Sequence, residues 1–280
     1  MTDSHVFSKT SPNFIENVES VSVVHERGRG IAWRIWPGAH ALLHWLESNK
    51  ENWCETPNAD CHCVEIGAGV GLVGVACAGL GASHVTLTDL PEELSALKRS
   101  RASNCSVIKD RIQVAPLCFG NDDDVDKVAN MHAGCRLVVV GSELIYWESL
   151  FEPIAGTLAR FIHKYNAVAY IGYRIRVWKT EKRFFTKVLK QHGLECQVVG
   201  EYYAQEEDAV SQASSGHVLY KEDRGDEWNT RVYKIFRAHR APAPAPTVRV
   251  FEEPTSCNFE KPQKKKPKKI VKQEKKGRAR

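Results

Sequence analysis

The sequence lacks the basic start and apolar stretch of a signal peptide. It opens MTDSHVFSKT, so secretion is not expected. An even, regularly spaced set of cysteines is missing as well. The nine cysteines are scattered, several inside apolar runs such as CHCVEI and LECQVV, which suits buried reduced thiols better than a disulfide framework. No zinc-type ligand set is apparent. Cys54, Cys61, His62 and Cys63 form the only local cluster, no second pair stands at a matching distance, and ordinary strand cysteines without a metal are expected. No internal repeat is visible, and the expected location is cytoplasmic.

Charge is absent from residues 66–83, a run long enough to raise the question of a membrane span. Six glycines in that run would make a poor helix, although Gly67 and Gly71 match a GxxxG spacing. No basic flank marks a cytoplasmic side, and the residues that follow alternate as a strand. No membrane partner is expected.

The body of the chain also lacks a basic excess. The formal net charge is +5, but residues 241–280 alone hold 12 Lys+Arg against 4 Asp+Glu, which leaves residues 1–240 mildly acidic. A basic isoelectric point is therefore no sign of a nucleic-acid-binding fold. The stretch APAPAPT is extended and semi-rigid, and KPQKKKPKKIVKQEKKGRAR has almost nothing to bury. Residues 241–280 read as a disordered tail. It is either a solvated extension or a nuclear-import signal, an anchor on RNA or an acidic partner, or a substrate-docking arm.

What remains alternates between strand and helix patterns. PGAHALLHWLESNK places Pro37 in a first turn, with Ala39, Leu42, Leu43 and Leu46 at helical spacing. CHCVEIGA is a strand ending in a glycine loop, and GLVGVACAGLG is a small-residue helix closed by Gly79 or Gly81. HVTLTD is a second strand, and LPEELSALKRSRASN a helix with Pro91 and two glutamates in its first turn. RIQVAPLCF and CRLVVVGSEL are strands, the latter apolar enough for the centre of a parallel sheet. The helix 148–165, the strand AVAYIGYRI and the helix TEKRFFTKVLKQHG follow. LECQVVGEYY and TRVYKIFRA close the pattern with no helix between them. The fold class is α/β: a Rossmann-like, seven-stranded, mostly parallel sheet with an antiparallel C-terminal hairpin and helices on both faces. Residues 1–240 form the domain, with 1–30 as an N-terminal extension.

Within the glycine loop, residues 69–74 satisfy G-x-G-x-x-G, with Asp89 about twenty residues on. Taken alone, this points to a dinucleotide, or to a tight turn with no ligand. Glu65 shifts the reading. A carboxylate two residues before the first glycine would repel a pyrophosphate at the helix N-terminus, whereas S-adenosyl-L-methionine is cationic and carries no phosphate. Glycines let the backbone approach a ligand where a Cβ would clash. Asp89 can accept both ribose hydroxyls, a role common to NAD and the methyl donor.

At RIWPGAHALLHWLES, VEIGAGVGLVGVACAGLGASHVTLTDLP, VVVGSELIYWESLFEPI, GYRIRVWKTEKRFFTKV and TRVYKIF, the chain resembles the seven-β-strand protein-lysine methyltransferases. The similarity is to members related to those that modify Hsp70-type and valosin-containing-protein chaperones, and it covers roughly residues 25–240. It implies an S-adenosyl-L-methionine-dependent enzyme acting on a protein substrate, a chaperone or another cytosolic protein. It places Trp36, Glu65, Gly67, Ala68 and Gly69 around the methionine half, Asp89 on the ribose, Phe119 against adenine, and the Ser142 backbone on the cofactor. Glu143 and Tyr146 are the implied catalytic residues. The family has Asp-x-x-Tyr where this chain has Glu143-Leu144-Ile145-Tyr146, so the carboxylate reaches about one methylene further, enough to misplace a nucleophile by roughly an ångström. Two other readings stay open: an NAD-dependent oxidoreductase on a similar sheet, and a non-catalytic scaffold binding RNA or acidic partners through its tail.

Overall fold

The computed structural model describes residues 4–26, 29–54, 60–202 and 230–238. The first half runs β1 (Ser4–Thr10), β2 (Ser20–Glu26), α1 (Pro37–Ser48), α2 (Lys50–Trp53), β3 (Cys61–Glu65), α3 (Leu72–Leu80), β4 (His84–Asp89), α4 (Leu94–Ala102), α5 (Ser106–Lys109) and β5 (Ile112–Pro116). The second half runs α6 (Asp122–Ala129), β6 (Arg136–Ser142), α7 (Phe151–Tyr165), β7 (Val168–Arg174), α8 (Trp178–Arg183), α9 (Leu189–Gln191), β8 (Leu194–Tyr202) and β9 (Thr230–Arg237).

The apolar runs expected at the centre of the sheet lie there. Seven strands pair in the order β5-β4-β3-β6-β7-β9-β8. The first five are parallel, while β9 runs antiparallel to both β7 and β8. Valines 138, 139 and 140 of β6 are fully buried on both faces, as a central parallel strand requires. One apolar layer packs α1 and α3 on the sheet, and the other packs α6, α7 and Phe184–Val188 on the opposite side. The uncharged run 66–83 turns out to be a glycine loop and the wholly buried helix α3, which is apolar all round because it has no solvent face. No helix of the described residues is long and apolar enough to cross a membrane.

The contact of α1 with β7 is unusually close. A Cβ added to Gly172 would lie 2.2 Å from the carbonyl oxygen of Gly38 and 2.7 Å from Cβ of Leu42. Gly172→Ala is expected to push α1 off the sheet and destabilise the protein by about 1–3 kcal/mol, the scale for overpacking a filled core. Thermal denaturation of the purified variant would show this as a lowered Tm.

The N-terminal residues differ from a plain extension. β1 and β2 form a separate antiparallel hairpin, and β2 is stitched by side-chain bonds to α4 and to Asn104 just beyond it. Ser22 N–H donates to Asn104 Oδ1 at 2.8 Å, Val24 N–H donates to Ser100 Oγ at 3.0 Å, and Arg99 pairs with Glu26. Val21 and Val23 are buried on the inward face. The helix α6 rests on local chemistry: the Asn121 side chain accepts the N–H groups of Asp123 and Asp124, and three aspartates complement the dipole of its first turn. The loop 203–229 and the tail 241–280 lie outside the described residues.

Candidate active site

The glycine loop leaves the C-terminal end of β3 with Gly67, Gly69 and Gly71 all at positive φ, between +57° and +81°. The close approach is as telling as the angles. A Cβ on Gly67 would lie 2.7 Å from Leu144 and 3.1 Å from the Phe119 ring, and one on Gly69 would lie 2.7 Å from the carbonyl oxygen of Ala32. Phe119 and the segment 31–36 thus both stand against the loop. Ala68 N–H donates to the Thr88 carbonyl, tying the loop to β4.

Glu65 does not face outward. Its Oε2 accepts the Gly74 N–H at 2.7 Å, and the neighbouring Val73 N–H also favours its ionised form. These are amides of the first turn of α3, the donors that a phosphate at a helix N-terminus would use. Burial pushes the Glu65 carboxyl up to about 8, against the pull of those amides and with help from the charge of Asp89. A pyrophosphate at this turn would meet a buried carboxyl that already engages its amides. Asp89 remains available to accept ribose hydroxyls. The dinucleotide reading loses its main support.

Asp89 ends β4 beside the loop. Its Oδ2 accepts Gly69 N–H and its Oδ1 accepts Leu90 N–H, at 2.7 and 2.8 Å. Burial, then the charges of Glu93 and Glu92, hold its carboxyl up at about 6 although both amides favour ionisation. Ribose hydroxyls donate to the ionised form, so affinity for the methyl donor is expected to fall as pH drops through about 6. Asp89→Ala should weaken binding by about 1–3 kcal/mol and flatten that pH profile, as read by calorimetric titration.

Stability of the free protein carries the opposite sign. Glu65 and Asp89 hold protons in the folded state that the unfolded chain releases near its ordinary carboxylate range. Their contribution is complete below that range and is lost as pH rises through about 6 and then about 8. Glu65→Gln is expected to lose less Tm than the parent as pH rises from roughly 4.5 to about 8, as thermal melts across that range would show.

Glu143 is buried as well. It is a non-glycine residue at φ +57° immediately after β6, and it is only 6 % exposed. Its Oε1 accepts Gly38 N–H at 2.7 Å, from the first turn of α1, and its Oε2 pairs with Nη2 of Arg176 at 2.5 Å. Burial pushes its carboxyl up, opposed first by the charge of Arg176. Both oxygens are engaged, so direct contact with an incoming ammonium would require breaking one of these bonds. Arg176 is itself held by its chain segment: Glu181, buried at the base of α8, accepts the N–H groups of Arg176 and Val177 and the Tyr173 hydroxyl.

Tyr146 and Trp147 face out, each 36 % exposed, with ring centroids 4.7 Å apart. Burial and the charge of Asp89 raise the Tyr146 phenol, with Arg176 opposing, so it stays protonated at neutral pH and feels both sides of the site. Trp36 precedes α1; its Nε1 donates to the Ile31 carbonyl, and the guanidinium groups of Arg34 and Arg176 lie 4.8 and 5.9 Å from its ring. Ser142, the last residue of β6, pairs in register with Gly172. Sequence reasoning passed over Arg176. The available signal was Glu143 itself, a carboxylate ending an apolar strand and needing a cation.

Residues 16–191 match the profile of a family described as lysine methyltransferase. Among curated proteins, the chain is 29 % identical over 163 residues to mouse EEF1A lysine methyltransferase 3, covering 58 % of this chain and 64 % of that one. It is 30 % identical over 166 residues to mouse protein N-lysine methyltransferase METTL21A, covering 59 % and 70 %. Among solved structures, an RNA methyltransferase assignment from Pyrococcus horikoshii aligns over 77 % of this chain and 90 % of its own, with a TM-score of 0.46 and 13 % identity. Neither the oxidoreductase nor the scaffold reading finds support in these matches. The chain belongs to the lysine methyltransferase family, whose methyl donor is S-adenosyl-L-methionine.

Proposed function

We propose that this protein transfers a methyl group from S-adenosyl-L-methionine to the amine of a lysine side chain in a protein substrate. The observation that carries this reading is the turn at α3, where Glu65 occupies the amides a phosphate would need while the glycines leave the backbone bare. S-adenosyl-L-methionine supplies a methyl group activated on a sulfonium. Asp89 would accept the ribose hydroxyls and Phe119 would lie against adenine. Trp36, Gly67, Ala68 and Gly69 would line the methionine half, with the Ser142 backbone alongside. Displacement at carbon needs an aligned, neutral amine. Tyr146 and Trp147 offer aromatic faces to the lysine stem and its methylated product. Glu143 holds Arg176 and the start of α1 at the mouth.

The relatives' names give protein substrates, EEF1A in one case, which supports a protein target for this chain. A chaperone or another cytosolic protein is the proposed substrate class. The proposed location is cytoplasmic and also nuclear, on the strength of the basic residues 241–280, which we also assign to binding RNA or an acidic partner. Incubation with tritiated S-adenosyl-L-methionine and a cell lysate tests the activity. A labelled protein band, lost in a Gly69→Arg control, is expected. Cofactor binding without any labelled protein would overturn the protein-substrate reading.

A further inference from the structure

At the end of the sheet opposite the glycine loop, three strands start side by side. Asp60 immediately precedes β3, His84 opens β4, and Cys135 immediately precedes β6. One ligand atom from each lies within 4.8 Å of the other two. The register explains the meeting. β3 lies between β4 and β6, His62 pairs with His84 and Cys61 with Arg136, and the Arg136 N–H donates to the Asp60 carbonyl at 2.8 Å. A turn in which Cys135 N–H donates to the His132 carbonyl, with Gly134 at φ +96°, brings the thiol to that edge.

The surroundings are built for a polar guest. His132 stacks on His84 with centroids 3.8 Å apart and planes 9° from parallel, fixing the His84 ring. The Nε2 of His132 is buried and has no hydrogen-bond partner. Ser83 Oγ donates to one oxygen of Asp60 at 3.1 Å, which orients the carboxylate. The neighbouring cation is occupied elsewhere, since Arg136 Nη2 donates to the Asn52 carbonyl at 3.2 Å.

We propose that Asp60, His84 and Cys135 bind one zinc ion that clips together the starts of β3, β4 and β6. A thiolate, an imidazole and a carboxylate are the donors zinc takes, and the thiolate disfavours calcium and magnesium, which prefer oxygen. Tetrahedral bonds of about 2.0–2.3 Å put ligand atoms roughly 3.3–3.8 Å apart, so atoms now within 4.8 Å of one another need to close by about 1.5 Å at most. Water completes the tetrahedron, and beside the stacked rings it would give His132 Nε2 the partner it lacks. On binding, the Cys135 thiol forms its S–Zn bond and releases its proton to solvent, so affinity rises with pH. Five residues of strand, roughly 17 Å, separate this edge from the glycine loop, so the ion would take no part in methyl transfer.

Cobalt(II) titration of the chelator-treated full chain tests the site, with zinc competition giving the affinity. The expected result is a thiolate-to-cobalt charge-transfer band that saturates at one equivalent and is abolished by zinc. Cys135→Ser should remove the band and weaken zinc binding by more than the roughly 10–100-fold that losing an outer partner costs. Exposed Cys105 is the control: Cys105→Ser should leave the band intact. Zinc should raise the Tm of the parent but not of Cys135→Ser. Should Cys135→Ser fail to fold, Asp60→Ala, which alters an exposed side chain, gives the same comparison through lost zinc affinity. No saturable cobalt band in the parent chain, a band that survives Cys135→Ser, or unchanged zinc affinity in Asp60→Ala would overturn the proposal.

Discussion

Glu143→Ala is expected to lower stability by about 3 kcal/mol and to cut methyl transfer further than the loss of folded protein explains. Removing one partner of a buried ion pair costs about 3–5 kcal/mol, and Arg176, 32 % exposed at its side chain, places this pair at the lower end. The truncation also orphans the Gly38 N–H at the start of α1. Glu143→Gln keeps the reach and can still accept from Gly38, but it gives up the charge and turns an amide donor toward Arg176, so it should be destabilised less than Glu143→Ala and still turn over poorly. Glu143→Asp restores the family's residue. Here it cannot span Gly38 and Arg176 together, being one methylene short, and we expect it to fall between Gln and Ala in stability. Urea denaturation with kcat and KM measured on each variant separates these effects. Full activity in Glu143→Asp would show that the clamp is dispensable.

Gly69→Arg is expected to abolish binding of S-adenosyl-L-methionine, with no transfer detectable. Two independent facts give this outcome. The residue sits at φ +58°, where an L side chain costs roughly 1–2 kcal/mol, and its Cβ would meet the backbone carbonyl of Ala32, which cannot swing aside like a flexible side chain. The long cationic chain would then have to occupy the space beside Asp89, which already uses Gly69's amide. Circular dichroism checks that the variant folds, and calorimetry reads binding. Affinity within a few-fold of the parent would show that the ligand does not approach this loop.

Much of the sheet was legible because its strands are short apolar runs bounded by glycine, proline or charge. Valines 138–140 and HVTLTD needed no partner to be read as strands, and the helix of α1 follows from Pro37 and the spacing of its leucines. The N-terminal hairpin was less visible. Val21 and Val23 do alternate with serines, but β1 contributes only Val6 and Phe7, too little apolar signal to announce a pair. At the site, the glycines and Asp89 were readable because their roles are local. Glu143 was readable as a carboxylate at the end of an apolar strand but not as a clamp: Gly38 lies 105 residues before it and Arg176 33 after it, and no spacing rule joins the three. The same holds for Asp60, His84 and Cys135, which sit on three different strand starts and meet only once β3 is flanked by β4 and β6.

The insertion of β9 between β7 and β8 has a consequence during synthesis. β8 leaves the ribosome before β9 yet has no place on the sheet until β9 arrives, since β9 is its bridge to β7. Until Thr230–Arg237 emerges, the nascent chain carries β7 as a bare edge of the kind that templates unwanted pairing. A stop codon after β7 but upstream of residue 230 would make that transient state permanent. Messages truncated there are expected to yield insoluble protein even though every residue of the cofactor loop has been translated.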